Sequence, residues 1–277
     1  MLFRSGSFVG NLPLAVAAFS GYPVRTDWRL NEATGRDETL VHFPRVDRLR
    51  LPHAVAFTMQ LERQLRPGLD AQVGFTRRRS TRVATLDVPE ISGPLAVSST
   101  GTGEYREFQA SVRQTWGRQQ QVFLSYVRSS SRGELNDFMA LFTGLDAPLL
   151  QPGGMSRLTA DARHRWIAWG TVNLPGKIVA SPVMEWHSGF PYSALDSRQL
   201  YFGEPNSAAY PAFLAVDLIA YKTVTFRERV ADVGIQLFNV TNHHNPRDVY
   251  AVVGTRSYGT FTNSVGPILR GFMMIKW

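Results

Sequence analysis

The chain has 277 residues, 30 basic and 22 acidic side chains, a formal charge of +8 and no cysteine, which excludes disulfide scaffolds, Cys-ligated zinc, Fe–S clusters and thiol catalysis. A mean hydropathy of −0.15 is too apolar for a disordered chain. No run of 18 apolar residues offers a transmembrane helix, but alternating barrel strands average to near-neutral hydropathy and stay open as a class.

The N-terminus, Met1-Leu2-Phe3-Arg4-Ser5-Gly6, has one positive charge but neither an apolar h-region nor a small-residue cleavage site. A cytoplasmic protein or an internal piece of a longer one would start this way, and the rest of the sequence favours the piece. Phe8 to Phe19 is expected to be one ascending strand. Residues 20–52 are expected to form a long loop with its own short β-ribbon.

From residue 53 onwards period-2 alternation dominates. Val55, Phe57, Met59 and Leu61 alternate with Thr58, Gln60 and Glu62. After Arg66-Pro67-Gly68, Leu69, Ala71, Val73 and Phe75 alternate with Asp70, Gln72, Gly74 and Thr76. Pro-Gly between two alternating runs signals a hairpin. A second hairpin sets Phe108, Ala110, Val112 and Trp116 before Gly117-Arg118, then Val122, Leu124 and Tyr126, with Phe123 and Val127 breaking the alternation. The third places Trp166, Ala168, Val172 and Leu174 before Pro175-Gly176, then Ile178, Ala180, Met184 and Trp186. Its other face carries Arg163, Arg165, Thr171, Asn173, Lys177, Ser181, Glu185 and His187. The fourth runs through Leu214, Val216, Leu218 and Ala220, turns near Arg227-Glu228 and continues through Ala231, Val233, Ile235 and Leu237. Asp217, Tyr221, Thr223, Asp232 and Gln236 face the other way. A last strand covers about Pro267 to Trp277.

That makes about ten strands, nine of them after residue 53, each of roughly 11 to 15 residues where globular strands average about 5 to 6. Tilted strands of about 9 to 11 residues cross a bilayer. Turns of about two residues at 67–68, 117–118, 175–176 and 227–228 alternate with long links at 83–103, 131–161, 189–210 and 242–258. Outer-membrane barrels connect their strands by short periplasmic turns and long extracellular loops. The fold class is therefore all-β: an antiparallel transmembrane β-barrel portion, expected as an open half-barrel sheet. Phe57, Met59, Leu61, Val73, Phe108, Val112, Leu124, Val233, Ile235 and Leu237 are assigned to the lipid face. Trp116, Trp166, Trp186, Phe226 and Trp277 fit its aromatic girdles. A soluble β-sandwich alternates equally well, but strand length and loop asymmetry favour the barrel.

The basic balance does not make a nucleic-acid binder. The only dense run is Arg77-Arg78-Arg79 with Arg82, and the remaining arginines spread from Arg4 to Arg270, as on a solvated surface or a lumen. The sequence contains no G-x-S-x-G, G-x-G-x-x-G or P-loop. Adjacent His243 and His244 point to opposite sides of a strand and make a poor metal site. Asp161, His164 and Arg165 precede a strand and read as an ionic cluster at a barrel rim rather than a binding site. Asn239-Val240-Thr241 matches a glycosylation acceptor only weakly. Ser129–Ser131 and Gly153-Gly154 read as loop. No catalytic, cofactor or metal residues are assigned, and no enzymatic activity is expected.

Several blocks carry a resemblance. Leu61-Glu62-Arg63-Gln64-Leu65 with Gly74-Phe75-Thr76-Arg77, and Phe123-Leu124-Ser125-Tyr126-Val127-Arg128-Ser129, resemble strand passages of TonB-dependent receptors of the Oar-like type. Asp161-Ala162-Arg163-His164-Arg165 followed by Leu174-Pro175-Gly176 is similar to their D-x-RHR…LPG block. Ser188-Gly189-Phe190-Pro191-Tyr192 is similar to SG-x-PY. Leu237-Phe238-Asn239-Val240-Thr241-Asn242 with Asn245-Pro246 is similar to FN-x-TN…NP, and Tyr258-Gly259-Thr260-Phe261 and the last strand complete the order. Gly271 sits one residue from the glycine of the usual assembly signal.

The resemblance implies an outer-membrane barrel of 22 strands closed by a plug, which imports or exports a bulky ligand with energy from TonB. Residues 1–277 are then expected to be the C-terminal barrel part of such a receptor, with no plug or TonB box and no transport as an isolated fragment. The implied partners are outer-membrane lipid, the barrel assembly machinery, TonB only through the plug, and a ligand that no motif identifies. A soluble β-rich carbohydrate-binding module is the alternative.

Overall fold

The computed structural model describes residues 6–9, 25–31, 34–42, 44–46, 49–87, 95–117, 120–135, 154–197, 201–226 and 229–276. The described residues are all-β. Nine long strands form an antiparallel meander, each hydrogen-bonded to the next in chain order.

Strands β1 (Gly6–Val9), β2 (Arg25–Asn31) and β3 (Arg36–His42) make a separate three-stranded sheet. The expected ribbon within 20–52 is present as β2 and β3. The expected ascending strand at Phe8–Phe19 is corrected. Its described part pairs with β2 rather than with the long-strand sheet, because Phe8 finds a near neighbour in Thr26. The remainder, residues 10–19, lies outside the described residues. A short β4 (Pro44–Val46) runs parallel to one long strand, Pro44 beside Leu95.

The meander consists of β5 (His53–Arg66), β6 (Leu69–Asp87), β7 (Leu95–Trp116), β8 (Gln120–Glu134), β10 (His164–Leu174), β11 (Ile178–His187), β14 (Phe213–Phe226), β15 (Arg229–Phe238) and β18 (Ile268–Lys276). Short pieces decorate its loop end: β9 (Met155–Arg157), β12 (Pro191–Tyr192), β13 (Ala208–Ala209), β16 (Asp248–Val249) and β17 (Phe261–Thr262). Among the described residues β5 pairs only with β6 and β18 only with β15, so the sheet is open at both edges.

The expected lengths of about 11 to 15 residues are corrected, since the strands run from 9 to 22 residues. The proposed loop at 83–103 is mostly strand. There β6 and β7 continue past two register shifts near Arg82, whose φ is +58°. Hydroxyls rather than apolar side chains hold this extension. Thr85 and Ser98 are buried, and Thr85 bonds Ser98 at 3.3 Å and Thr100 at 3.0 Å. Residues 129–131, read as loop, belong to β8, where Ser129 and Ser131 oppose Glu107 and Tyr105.

The short turns at Gly68, Gly117 and Gly176 form as the sequence specifies, and the expected turn at 227–228 lies outside the described residues. Gly68, Gly117 and Gly176 all have φ between +60° and +81°, which a residue bearing Cβ rarely adopts. At Gly68 an added Cβ would lie 2.4 Å from the Thr115 carbonyl of the neighbouring hairpin.

Register puts the apolar set on one face. Leu61, Val73, Ala110, Tyr126, Trp166, Trp186 and Leu214 follow one another across seven strands. One row on, Ala71, Val112, Leu124, Ala168, Met184 and Val216 do the same. Leu61, Val73, Val112, Leu124 and Trp166 of these rows are exposed, Leu61 by 66%, and Ala71, Ala110, Tyr126, Ala168, Met184, Trp186, Leu214 and Val216 are half-buried. The buried set is largely polar, with Ser111, Ser125, Asp161, His187, Asn206, Asp232 and Asn239, while Val97 and Ala194 are the buried apolar residues among those described. That distribution is the reverse of a water-soluble core. Of the assigned lipid-face residues Leu237 alone is half-buried rather than exposed. Phe123, an exception in the alternation, points to the other face and packs against Trp169 at 5.4 Å, with the Arg113 guanidinium 5.7 Å above its ring.

Candidate functional site

The inner face of the meander carries most of its polar side chains, interspersed with Phe123, Ile167, Trp169 and Ile219. Thr171 bonds Ser181 at 3.2 Å, Thr223 donates to Asp232 at 2.7 Å, and Arg165 pairs with Glu185 at 2.7 Å. At the long-loop end this face opens into a cavity of about 1030 Å³. Its walls come from four stretches far apart in sequence: the end of β8 with the link before β10, the ends of β11 and β14 with the loop between them, the end of β15 with the loop after it, and the entry to β18.

Six aromatic residues and His187 stand in the lining. His187 lies against Phe213 at 4.8 Å with nearly parallel rings, and Phe190 flanks it at 4.6 Å. The His187 Nδ1–H donates to the Ser188 carbonyl at 2.8 Å, which holds the ring in that stack. Tyr192, Tyr210 and Phe261 form a second cluster with centroids 5.4 to 6.1 Å apart. Burial pushes both phenols up from their ordinary range, helped by Tyr258 at Tyr192 and by Asp248 at Tyr210. The two hydroxyls therefore stay neutral and able to donate.

Local geometry explains why Ser188-Gly189-Phe190-Pro191-Tyr192 can build this wall. A Cβ on Gly189 would lie 1.7 Å from the Tyr210 carbonyl oxygen, so only glycine permits the strand end to pass β13. The Tyr210 amide then donates to the Phe190 carbonyl at 2.9 Å, and Pro191 opposes Ala209.

The block Phe238-Asn239-Val240-Thr241-Asn242 with Asn245 is a clamp. Asn239 is buried at φ +50°, and its side chain is engaged with the protein rather than presented as a glycan acceptor. Its Nδ2 donates to the carbonyls of His243 and Val265, and its Oδ1 accepts from the His243 amide. The Asn239 amide donates to Asp217 Oδ1 at 2.8 Å. Asn245 exchanges two bonds with the Leu214 backbone, at 3.0 and 2.8 Å. His243 donates from Nδ1 to Asn245 Oδ1 at 2.9 Å and so serves the same clamp.

The predicted cluster Asp161, His164 and Arg165 is not one site. Asp161 is 1% exposed and pairs with Arg157 at 2.8 Å, while its other oxygen accepts from the Ser131 amide at 2.7 Å. His164 Nδ1 meets the Tyr126 hydroxyl at 2.8 Å, and Arg165 turns to Glu185. Asp161 thus ties the link before β10 to β8, as a rim structure. The sequence missed Arg157 because it lies outside any periodic segment.

The cavity aromatics Phe190, Tyr192, Tyr201, Tyr210, Phe213 and Phe238 were not assigned from sequence. The motif SG-x-PY marked the place without revealing the cavity. The arrangement suits a bulky ligand with flat apolar faces and hydrogen-bonding edges.

No protein-family model matches the chain. No curated protein gives a significant match. Among solved structures, the chain is similar to one of the FpvAI–pyocin S2 complex, at 11% identity and a TM-score of 0.53. The match covers 91% of this chain and 31% of that one, so the chain spans about a third of its structural neighbour's length. At this identity the likeness speaks to fold alone: an all-β, barrel-like sheet.

Proposed function

We propose that residues 1–277 are the C-terminal barrel part of an Oar-like TonB-dependent receptor in a Gram-negative-type outer membrane. The whole receptor takes up or exports a bulky ligand, and the loop-end cavity contributes to its binding. The single observation that carries this reading is the continuous apolar face of the meander, exposed on β5 to β8 and half-exposed on β11 and most of β14, with the polar side chains gathered on the inner face. Lipid covers such a face without loss, whereas water would not tolerate it. The Oar-like assignment rests on the ordered sequence blocks, which fall at the Asp161 tie, the turn at Gly176, the Gly189 crossing and the Asn239 clamp. TonB would act through a plug, and lipid and the assembly machinery would meet the outer face. Catalysis plays no part in this reading.

The same face weighs against a soluble carbohydrate-binding module, which would bury it. The test uses the absence of cysteine from the chain. Single cysteines replace Leu61, Leu124 and Ile235 on the outer face, or Gln72, Gln109 and Gln236 on the inner one, in the full receptor in outer-membrane vesicles. A charged, water-soluble maleimide should label the inner set and spare the outer set. Equal labelling of both sets overturns the membrane reading.

A further inference from the structure

The run Arg77-Arg78-Arg79 splits between the two faces of the sheet. Arg78 opposes Tyr105 and faces inward, while Arg77 and Arg79 face outward with the apolar set. There register adds three more arginines. Arg77 stands opposite Arg106, Arg79 opposite Glu104, Glu104 opposite Arg132, and Arg128 opposite Phe108. Four arginines on three adjacent strands, Arg77, Arg79, Arg106 and Arg132, thus stand around one carboxylate, with Arg128 two rows away beside Phe108. Like charges directly opposed across a strand pair disfavour the sheet. Glu104 offsets this in part, one oxygen accepting from Arg106 at 2.8 Å and from Arg77 at 3.1 Å. Both arginine side chains remain more than half exposed, 55% at Arg77 and 56% at Arg106.

The height of the patch is as informative as its charge. Trp116 closes the apolar face at the short-turn end, and Arg106 lies ten residues further along the same strand. Ten residues span about 34 Å, and at a tilt of about 40° this rises about 26 Å, close to the roughly 25 Å apolar band of a barrel. Phe75 and Phe108 sit in the row directly beneath, exposed by 37% and 45%. Arg77 and Arg106 therefore stand where hydrocarbon ends and headgroups begin, with Arg128 beside the aromatic row just below them.

We propose that this patch is a binding site for a phosphorylated lipid headgroup of the loop-side leaflet, a proposal that rests on the membrane reading above. The occupant follows from complementarity. Acyl chains meet Phe75, Phe108 and the belt, and phosphate oxygens meet paired guanidinium forks, the geometry that arginine satisfies best. Glu104 holds Arg77 and Arg106 side by side so that one phosphate can engage both.

The test uses the full receptor purified in detergent, with bis-phosphorylated lipid A as probe and its dephosphorylated form as comparison, and bound lipid read by native mass spectrometry. The wild type should retain the phosphorylated form selectively. The triple variant Arg77→Gln, Arg106→Gln, Arg128→Gln should bind on the order of a hundredfold more weakly, roughly fivefold per arginine near an anionic headgroup. Arg78→Gln, on the inner face, should bind as wild type. If the triple variant does not fold, Arg106→Gln alone decides, with an expected loss of about fivefold. Equal retention of both lipid forms, no loss in the outward variants, an equal loss in Arg78→Gln, or complete displacement by inorganic phosphate overturns the proposal. Quenching of Trp166 by brominated lipid separates the two readings: quenching without selective retention refutes the patch and leaves the membrane assignment standing.

Discussion

Ile235→Arg and Gln236→Arg place the same charge one residue apart on opposite faces of β15. Ile235 stands between Ala220 and Gly271, 43% exposed, and Gln236 stands between Ile219 and Arg270. Ile235 is six residues above Arg229, where β15 begins. Six residues rise about 20 Å along the strand and about 15 Å across the membrane at a tilt of about 40°. That puts Ile235 near the middle of the apolar band, where an outward arginine costs about 2–4 kcal/mol. The guanidinium introduced by Gln236→Arg would instead meet Arg270 in a wet lumen, a cross-strand repulsion of less than about 1 kcal/mol. Equilibrium urea unfolding of the intact receptor in lipid vesicles, followed by heat-modifiable mobility, measures both. The expected gap is at least about 1 kcal/mol, with Ile235→Arg the weaker protein. Equal costs, or the reverse order, would refute the facing of every strand, because register fixes them together.

Gly189→Ala should disrupt the β12–β13 crossing, since its methyl would overlap the Tyr210 carbonyl. We expect a loss of about 1–3 kcal/mol and faster cleavage within 189–210 by protease added to intact cells; an unchanged cleavage pattern contradicts the crossing. Asp161→Asn leaves Arg157 without its charge partner in a site where Asp161 is 1% exposed. The cost should be about 3 kcal/mol, at the low end for a broken buried pair because Arg157 keeps some contact with water. Thermal unfolding of the variant alongside Arg165→Gln checks it, and equal effects would show that Arg157 is not the partner that matters. The isolated chain should give neither a sharp heat-modifiable band after refolding in detergent nor discrete steps in planar-bilayer conductance; either result refutes the open sheet.

The strands after residue 53 were legible because one physical cause acts on every second residue. Val73, Phe108, Leu124 and Ile235 needed no tertiary knowledge to be placed on one face. Pro67-Gly68 and Pro175-Gly176 were legible because positive φ demands glycine at those turns. Alternation fails in the loop-side extension of β6 and β7. Thr85, Ser98 and Thr100 keep β6 and β7 paired through hydroxyls, which leave no apolar period to read. Phe8 pairs with a near neighbour, and nothing in its own segment separates that from a barrel strand. The cavity was illegible for another reason. His187 ends β11, Ile268 begins β18, and Tyr210 and Asn239 lie in separate loops; the close contacts at Gly189 and Asn245 help bring them together. The basic patch was half legible: Arg77-Arg78-Arg79 stood out as a run, but only register shows that Arg106, Arg128 and Arg132 join two of its three members.

The two edges of the sheet bear on what surrounds this chain. Along β5 both faces are exposed, the polar Thr58, Gln60 and Glu62 as well as the apolar Phe57, Met59 and Leu61. Further along the meander the inner face fills, with Ser111 and Ser125 buried in the middle and Asp232 near the other edge. A small barrel closed on itself would bring an opposite wall over the inner face of β5 and pair its free edge with β18. Neither contact exists among the described residues. Unpaired strand N–H and C=O groups in hydrocarbon cost several kcal/mol each, so an edge the length of β5 is untenable in a membrane without a further strand beside it. Under the proposed membrane reading, a larger barrel would supply such neighbours beside β5 and β18. It also gives the inner residues of β5 a use, because a polar face left open toward the lumen is what a plug-sized body could pack against.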